Sequence, residues 1–101
     1  MEKDWLKINN GKGKVKEYGS DCELIFEGEY LNGERNGKGK EYDVNNNLIF
    51  EGVYLKGKRW NGKGKKYNNN GKLIFEGEYL NGIKIQNKYN WIFKNNKNLF
   101  K

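Results

Sequence analysis

Four residue types are missing from this 101-residue chain: there is no Pro, His, Ala or Thr. Ser, Met and Cys occur once each, as Ser20, Met1 and Cys22. Without His, neither a His-containing catalytic triad nor a His-ligated zinc site can be assembled. One Cys excludes an internal disulfide and a one-chain four-Cys metal site. No cofactor or metal is therefore expected, and the chain reads as a non-enzyme. Its unpaired thiol suits a reduced, intracellular and cytoplasmic setting. No apolar run approaches the length of a transmembrane helix, and "MEKDWLKINN" has no signal-peptide form.

What is present is unusual in its proportions. Hydrophobic residues make up 35% and charged residues 33%, too polar a mixture for a thick core. Aromatics at 15% oppose simple disorder, because disordered chains are poor in them. A thin, ordered, single domain of residues 1–101 is the expectation. The formal net charge of +7 favours anionic partners, or serves solubility alone.

The phrase "LIFEGEYLNGERNGKGKEY" at 24–42 returns as "LIFEGVYLKGKRWNGKGKKY" at 48–67, and its first half returns from Leu73. Phe26, Phe50 and Phe75 set a period of 24 then 25 residues. "DWL" at Asp4–Leu6 matches "EYL" at Glu29–Leu31, so the start reads as a worn first copy. Four units follow, about 1–18, 24–42, 48–67 and 73–93, with atypical terminal copies as caps. Twelve of 14 glycines fall at four repeat phases, the "GKGK" runs at 11, 37 and 62 being aligned with one another.

Within a unit the apolar period is two, which indicates strands. Phe26, Gly28 and Tyr30 share one face; Ile25, Glu27, Glu29 and Leu31 share the other. A turn-rich "NGERNG" and a second short strand complete a β-hairpin. Asn32–Gly33 alone suits a two-residue turn. Trp60, an extra residue in the third unit, instead favours a longer loop ending near Asn36, because insertions settle in loops. A lone hairpin is marginal, so stacked hairpins are expected: an all-β, elongated, open antiparallel sheet.

At this point the residues resemble the MORN repeat (membrane occupation and recognition nexus). "FEGEYLNGERNGKGKEY" and "FEGVYLKGKRWNGKGKKY" follow its aromatic-x-Gly-x-aromatic, Asn-Gly, basic loop and Gly-x-Gly pattern nearly throughout. "FEGEYLNG" at 75–82 follows its first half. The repeat is slightly longer here than is usual in that family, and the terminal units lack key glycines. The resemblance implies an open array of stacked hairpins. It also implies a scaffolding role at membranes or the cytoskeleton, through anionic phospholipids, protein partners or self-association. Fold alone does not choose among these.

Three candidate sites follow from the residues. "GKGK" lacks the Ser/Thr and the following helix of a phosphate loop, so nucleotide binding through it is rejected. The aromatic stripe Phe26, Tyr30, Phe50, Tyr54, Phe75 and Tyr79, with Trp60, is a candidate groove for a protein partner or a second copy. Its alternative is ring-on-glycine packing that leaves little exposed. Trp91 is a further candidate, or a seal on the last hairpin. Arg35, Lys38, Lys40, Arg59, Lys63 and Lys65 recur as a basic ladder for anionic lipid head groups. Glu27, Glu29, Glu76 and Glu78 read as cross-strand partners of those lysines rather than acid–base pairs. If they interleave, the ladder is largely neutral. Nucleic acid is disfavoured, since no RNA-binding signature is present.

Overall fold

The computed structural model describes residues 2–9 and 11–86. Trp91 and the end of the fourth unit lie outside the described residues. Eight strands follow one another: β1 (Glu2–Asn9), β2 (Lys12–Tyr18), β3 (Leu24–Leu31), β4 (Glu34–Tyr42), β5 (Leu48–Leu55), β6 (Lys58–Tyr67), β7 (Leu73–Leu80) and β8 (Ile83–Gln86). Each is antiparallel to the next, in the order β1-β2-β3-β4-β5-β6-β7-β8. The fold is all-β, a single elongated open sheet of four stacked hairpins. It is thin, 14 Å across its smallest dimension.

Two kinds of turn build it. Within hairpins the turn is two residues long, both at positive φ: Asn32 and Gly33 (50° and 87°), Lys56 and Gly57 (50° and 82°), Asn81 and Gly82 (50° and 83°). That is the type I′ geometry whose twist matches the strands. Between hairpins the polar links fold on their own side chains. Asp43 Oδ1 accepts the Asn45 and Asn47 N–H groups, and Asn68 Oδ1 accepts those of Asn70 and Lys72. The hairpins are also tied turn to strand. Asn32 N–H donates to the Gly11 carbonyl, Gly57 N–H to Arg35 and Gly82 N–H to Trp60, at 2.8 to 2.9 Å.

The longer loop expected to end near Asn36 is not what forms. The Asn-Gly turn holds, and the extra residues enter the strands as bulges. In the second hairpin Gly28 faces Gly39 and Tyr30 faces Arg35, so Asn36, Gly37 and Lys38 oppose Glu29 alone. The Glu29 carboxylate accepts the Lys38 N–H at 2.6 Å. In the third hairpin Val53 faces Asn61 and Tyr54 faces Arg59, which leaves Trp60 as a one-residue bulge. Parity explains the arrangement. One added residue in a regular strand flips every later side chain. The Trp60 bulge absorbs that flip, keeping Arg59, Gly62, Gly64 and Lys66 on the aromatic face.

The glycine phases need one correction. Gly37 faces Tyr54 and Gly39 faces Gly52; Gly62 faces Tyr79 and Gly64 faces Gly77. At the first interface Gly13 faces Tyr30 and Val15 faces Gly28. The first "GKGK" is therefore two residues out of phase with the others. Gly13 stands where Gly37 does, Val15 takes the place of Gly39, and Gly11 lies in a turn at φ 78°. The reason is steric. A Cβ on Gly39 would come within 2.7 Å of the Phe26 ring and 2.9 Å of the Tyr54 ring. No Phe precedes Val15 in the array, so its side chain fills that space and is fully buried.

Candidate functional site

The aromatic face is held by a ladder of rings and charges. Phe26 meets Tyr54 edge-on at 5.1 Å, Phe50 meets Tyr54 at 5.2 Å, and Phe50 meets Tyr79 at 5.4 Å. These are the T-shaped separations that aromatic pairs prefer. The groove expected along this stripe is closed over its first two interfaces. Phe26, Tyr30, Phe50 and Tyr54 are 0, 4, 0 and 1% exposed. Packing of rings on glycines and under arginines is what closes it. The Arg35 guanidinium lies 4.2 Å from the Phe26 ring centre, and that of Arg59 lies 5.0 Å from Phe50. Only Phe75 and Tyr79, at the β7 end, stay half-exposed.

Two glutamates make this closure possible. Glu17 faces Phe26 across β2 and β3, and Glu41 faces Phe50 across β4 and β5. The Tyr30 hydroxyl donates to Glu17 Oε2 at 2.6 Å, and Arg35 grips the same carboxylate through Nε (2.8 Å) and Nη2 (3.1 Å). One tile later, the Tyr54 hydroxyl donates to Glu41 Oε1 at 2.6 Å. Arg59 grips that carboxylate at 2.8 and 2.9 Å. Arg35 Nη1 also lies 3.5 Å from Glu41, so the charges alternate without a gap: Glu17, Arg35, Glu41, Arg59. Beyond Arg59 the alternation stops. Its Nη1 donates instead to the Tyr79 hydroxyl at 3.0 Å, and the residue facing Phe75 is Lys66.

The protonation equilibria follow from this geometry. Burial pushes the Glu17 and Glu41 carboxyls up. The hydrogen bonds from Arg35 and Tyr30, and from Arg59 and Tyr54, outweigh it and hold both below the ordinary value. Burial, with the adjacent glutamates, pushes the Tyr30 and Tyr54 hydroxyls up, so both stay protonated donors. Burial disfavours the charged form of Arg59, but the Glu41 carboxylate raises its affinity for the proton beyond that loss.

The opposite face carries the lysines, and glutamates interleave with them. Lys16 faces Glu27, Glu27 faces Lys40, Lys40 faces Glu51 and Glu51 faces Lys63. Lys63 in turn faces Glu78, and Lys65 faces Glu76. Three of these pairs close to 3.6, 3.8 and 4.0 Å: Lys16–Glu27, Lys40–Glu51 and Lys65–Glu76. Lys38, Lys40, Lys63 and Lys65 thus share a face but no continuous positive field. Arg35 and Arg59 are not on it; they belong to the aromatic face. A shallow trough of about 800 Å³ crosses the charged face over Gly28, Gly39 and Gly52. At the β7–β8 end the charges give way to Leu80, Ile83 and Ile85, which are 55, 65 and 45% exposed.

Trp60 is half-buried rather than a free loop residue. Its ring lies against the next turn, where a Cβ on Gly82 would approach it to 3.2 Å. Glu17 and Glu41 are the residues that sequence reasoning passed over. The signal was present: both precede a Tyr, and Glu17/Tyr30/Arg35 recurs as Glu41/Tyr54/Arg59 at a spacing of 24. No protein-family model, curated protein or solved structure matches this chain.

Proposed function

We propose that this chain is a non-enzymatic repeat scaffold that binds a protein segment or another copy of itself. The carrying observation is where apolar surface remains open. The rings of the first two interfaces are sealed, while among the described residues Phe75 and Tyr79 on one face and Leu80, Ile83 and Ile85 on the other stay half-exposed or exposed at the β7–β8 end. Exposed apolar surface of this kind marks interaction sites. The MORN resemblance points the same way, since self-association and protein contact are among the roles it implies.

Catalysis draws no support from either face. The aromatic-face carboxylates are each committed to a Tyr and an Arg, and those of the charged face alternate with lysines. Peripheral binding to anionic lipid through Lys38, Lys40, Lys63 and Lys65 draws less support than the scaffold, because register places a glutamate beside most of these lysines.

The test is sedimentation of the purified chain over a range of concentrations, paired with affinity capture from the native cell. A concentration-dependent oligomer, or a captured protein released by Ile83→Lys/Ile85→Lys in a folded variant, is expected. A strict monomer that captures nothing would refute the reading.

A further inference from the structure

The third interface of the array is built like the first two but with its acid exchanged for a base. Phe26, Phe50 and Phe75 face Glu17, Glu41 and Lys66 in turn. Tyr30, Tyr54 and Tyr79 face Arg35, Arg59 and Lys84. At the first two interfaces a Tyr hydroxyl and an Arg converge on one glutamate carboxylate. At the third, Tyr79 and Lys84 hold the positions of those donors, and no glutamate stands between them. Arg59 is left turned toward Tyr79, where Arg35 at the same phase is turned toward a carboxylate.

The result is a cationic, aromatic-walled cleft. Arg59, Lys66 and Lys84 line an opening of about 280 Å³ with Phe75 and Tyr79. The Lys84 ammonium lies 4.2 Å from the Phe75 ring centre. Asp43 also borders the cleft, but its carboxylate is occupied in the β4–β5 link by the Asn45 and Asn47 amides. Arg59 is already paired with Glu41, so three cations against two acids, Glu41 and Asp43, leave a local excess of one positive charge, carried by Lys66 and Lys84. Among the described residues Lys66 has no ion pair.

We infer that this cleft binds a side-chain carboxylate from an acidic segment of a protein partner, received between Tyr79, Lys84 and Arg59. The inference rests on the scaffold reading and gives it a site and a partner chemistry. The first two interfaces are its template: the donor set there selects a planar carboxylate with one O–H and one or two N–H donors. Charge along the chain agrees. Residues 1–55 carry eleven acidic and eight basic side chains, a net −3. Residues 56–86, the rest of the described chain, carry two acidic and eight basic, a net +6. Among the described residues the β7–β8 end is thus the end that draws acidic chains.

The probe is hexaglutamate, titrated into the full-length ¹⁵N-labelled chain at low ionic strength. Amide shifts should centre on Lys66, Tyr79 and Lys84. Lys66→Glu supplies the missing carboxylate from within and should weaken binding by about tenfold or more, the scale of a lost charge-assisted pair. Lys84→Gln should weaken it in the same direction. Lys72→Glu makes the same charge change in the β6–β7 link and should leave binding nearly unaltered. Shifts centred on Lys38, Lys63 and Lys65, or equal losses in Lys66→Glu and Lys72→Glu, would overturn the site. So would binding to phosphatidylserine vesicles that Lys66→Glu abolishes while hexaglutamate fails to bind. Sedimentation of Lys66→Glu separates the two readings. Association or capture unchanged in that variant sinks the cleft and leaves the scaffold standing, whereas a wild-type chain that neither associates nor captures sinks the scaffold itself.

Discussion

Glu41 accepts from the Tyr54 hydroxyl and from both reaching nitrogens of Arg59, and it forms a longer ion pair with Arg35. Removing one partner of such a pair leaves the other desolvated and unpaired, which costs more than the pair contributes net. Glu41→Gln should therefore lower unfolding stability by about 2–4 kcal/mol in urea titrations. Glu51→Gln, on the solvated charged face, should cost under about 1 kcal/mol. The same residues set the pH response. Glu17 and Glu41 bind protons less readily in the folded chain than in the unfolded one, so the stability they add is present above the ordinary carboxylate range. It is lost as pH falls through that range and their depressed folded values. Tyr30 and Tyr54 act oppositely: their contribution is present below 10.0 and is lost as pH rises toward their raised folded values. Thermal denaturation against pH should show a broad plateau with an acid fall that Glu41→Gln makes shallower. At this scale sequence reading singled out the aromatics and arginines correctly as phased residues, yet it assigned the arginines to the lysines. Alternation alone separates Arg35 from Lys38 and Lys40, because its bulge adds two residues, but it puts Arg59 with Lys63 and Lys65, because the one-residue Trp60 bulge reverses the faces.

The second and third hairpins are each a type I′ turn with a bulge beside it, whereas β7 and β8 pair without one. Lys56 occupies at φ 50° the position that Asn32 and Asn81 hold in the other turns. Asn tolerates the left-handed region better than Lys. Lys56→Asn should therefore raise stability, by roughly 0.5–1 kcal/mol, read as a higher urea midpoint at unchanged slope. Gly39→Ala tests the other requirement of the tile. Its Cβ would enter the space between Phe26 and Tyr54, and overpacking of that kind costs about 1–3 kcal/mol. The hairpins themselves were legible, since strand period, Asn-Gly and polar links each stand in the residues. Where the Trp60 insertion goes was not. Loop tolerance argued for the turn, but the Lys56–Gly57 pair fixes a two-residue turn and pushes the extra residue into the strand. The out-of-phase first "GKGK" was hidden for a similar reason: Val15 satisfies by filling space what Gly39 satisfies by leaving it.

Across the whole molecule, stability is a sum over interfaces between tiles, because each hairpin touches only its neighbours in the strand order. The open, stacked sheet could be read from the repeat. Which surface stays open could not, because it depends on a cross-strand register that bulges set and on what replaces Glu41 in the last interface. Read as a pattern, Glu17, Glu41 and Lys66 are one phase with a single exception, and that exception organises the array. The acids clamp tile to tile where they are present and leave a cationic cleft where they are absent. Urea unfolding of Lys66→Glu beside the parent chain tests this claim most directly. The introduced carboxylate should find Tyr79, Lys84 and Arg59 waiting and raise stability by about 1–2 kcal/mol, the net worth of a charge-assisted hydrogen bond. An unchanged or lower stability would show that the third interface is not the first two with its acid withdrawn.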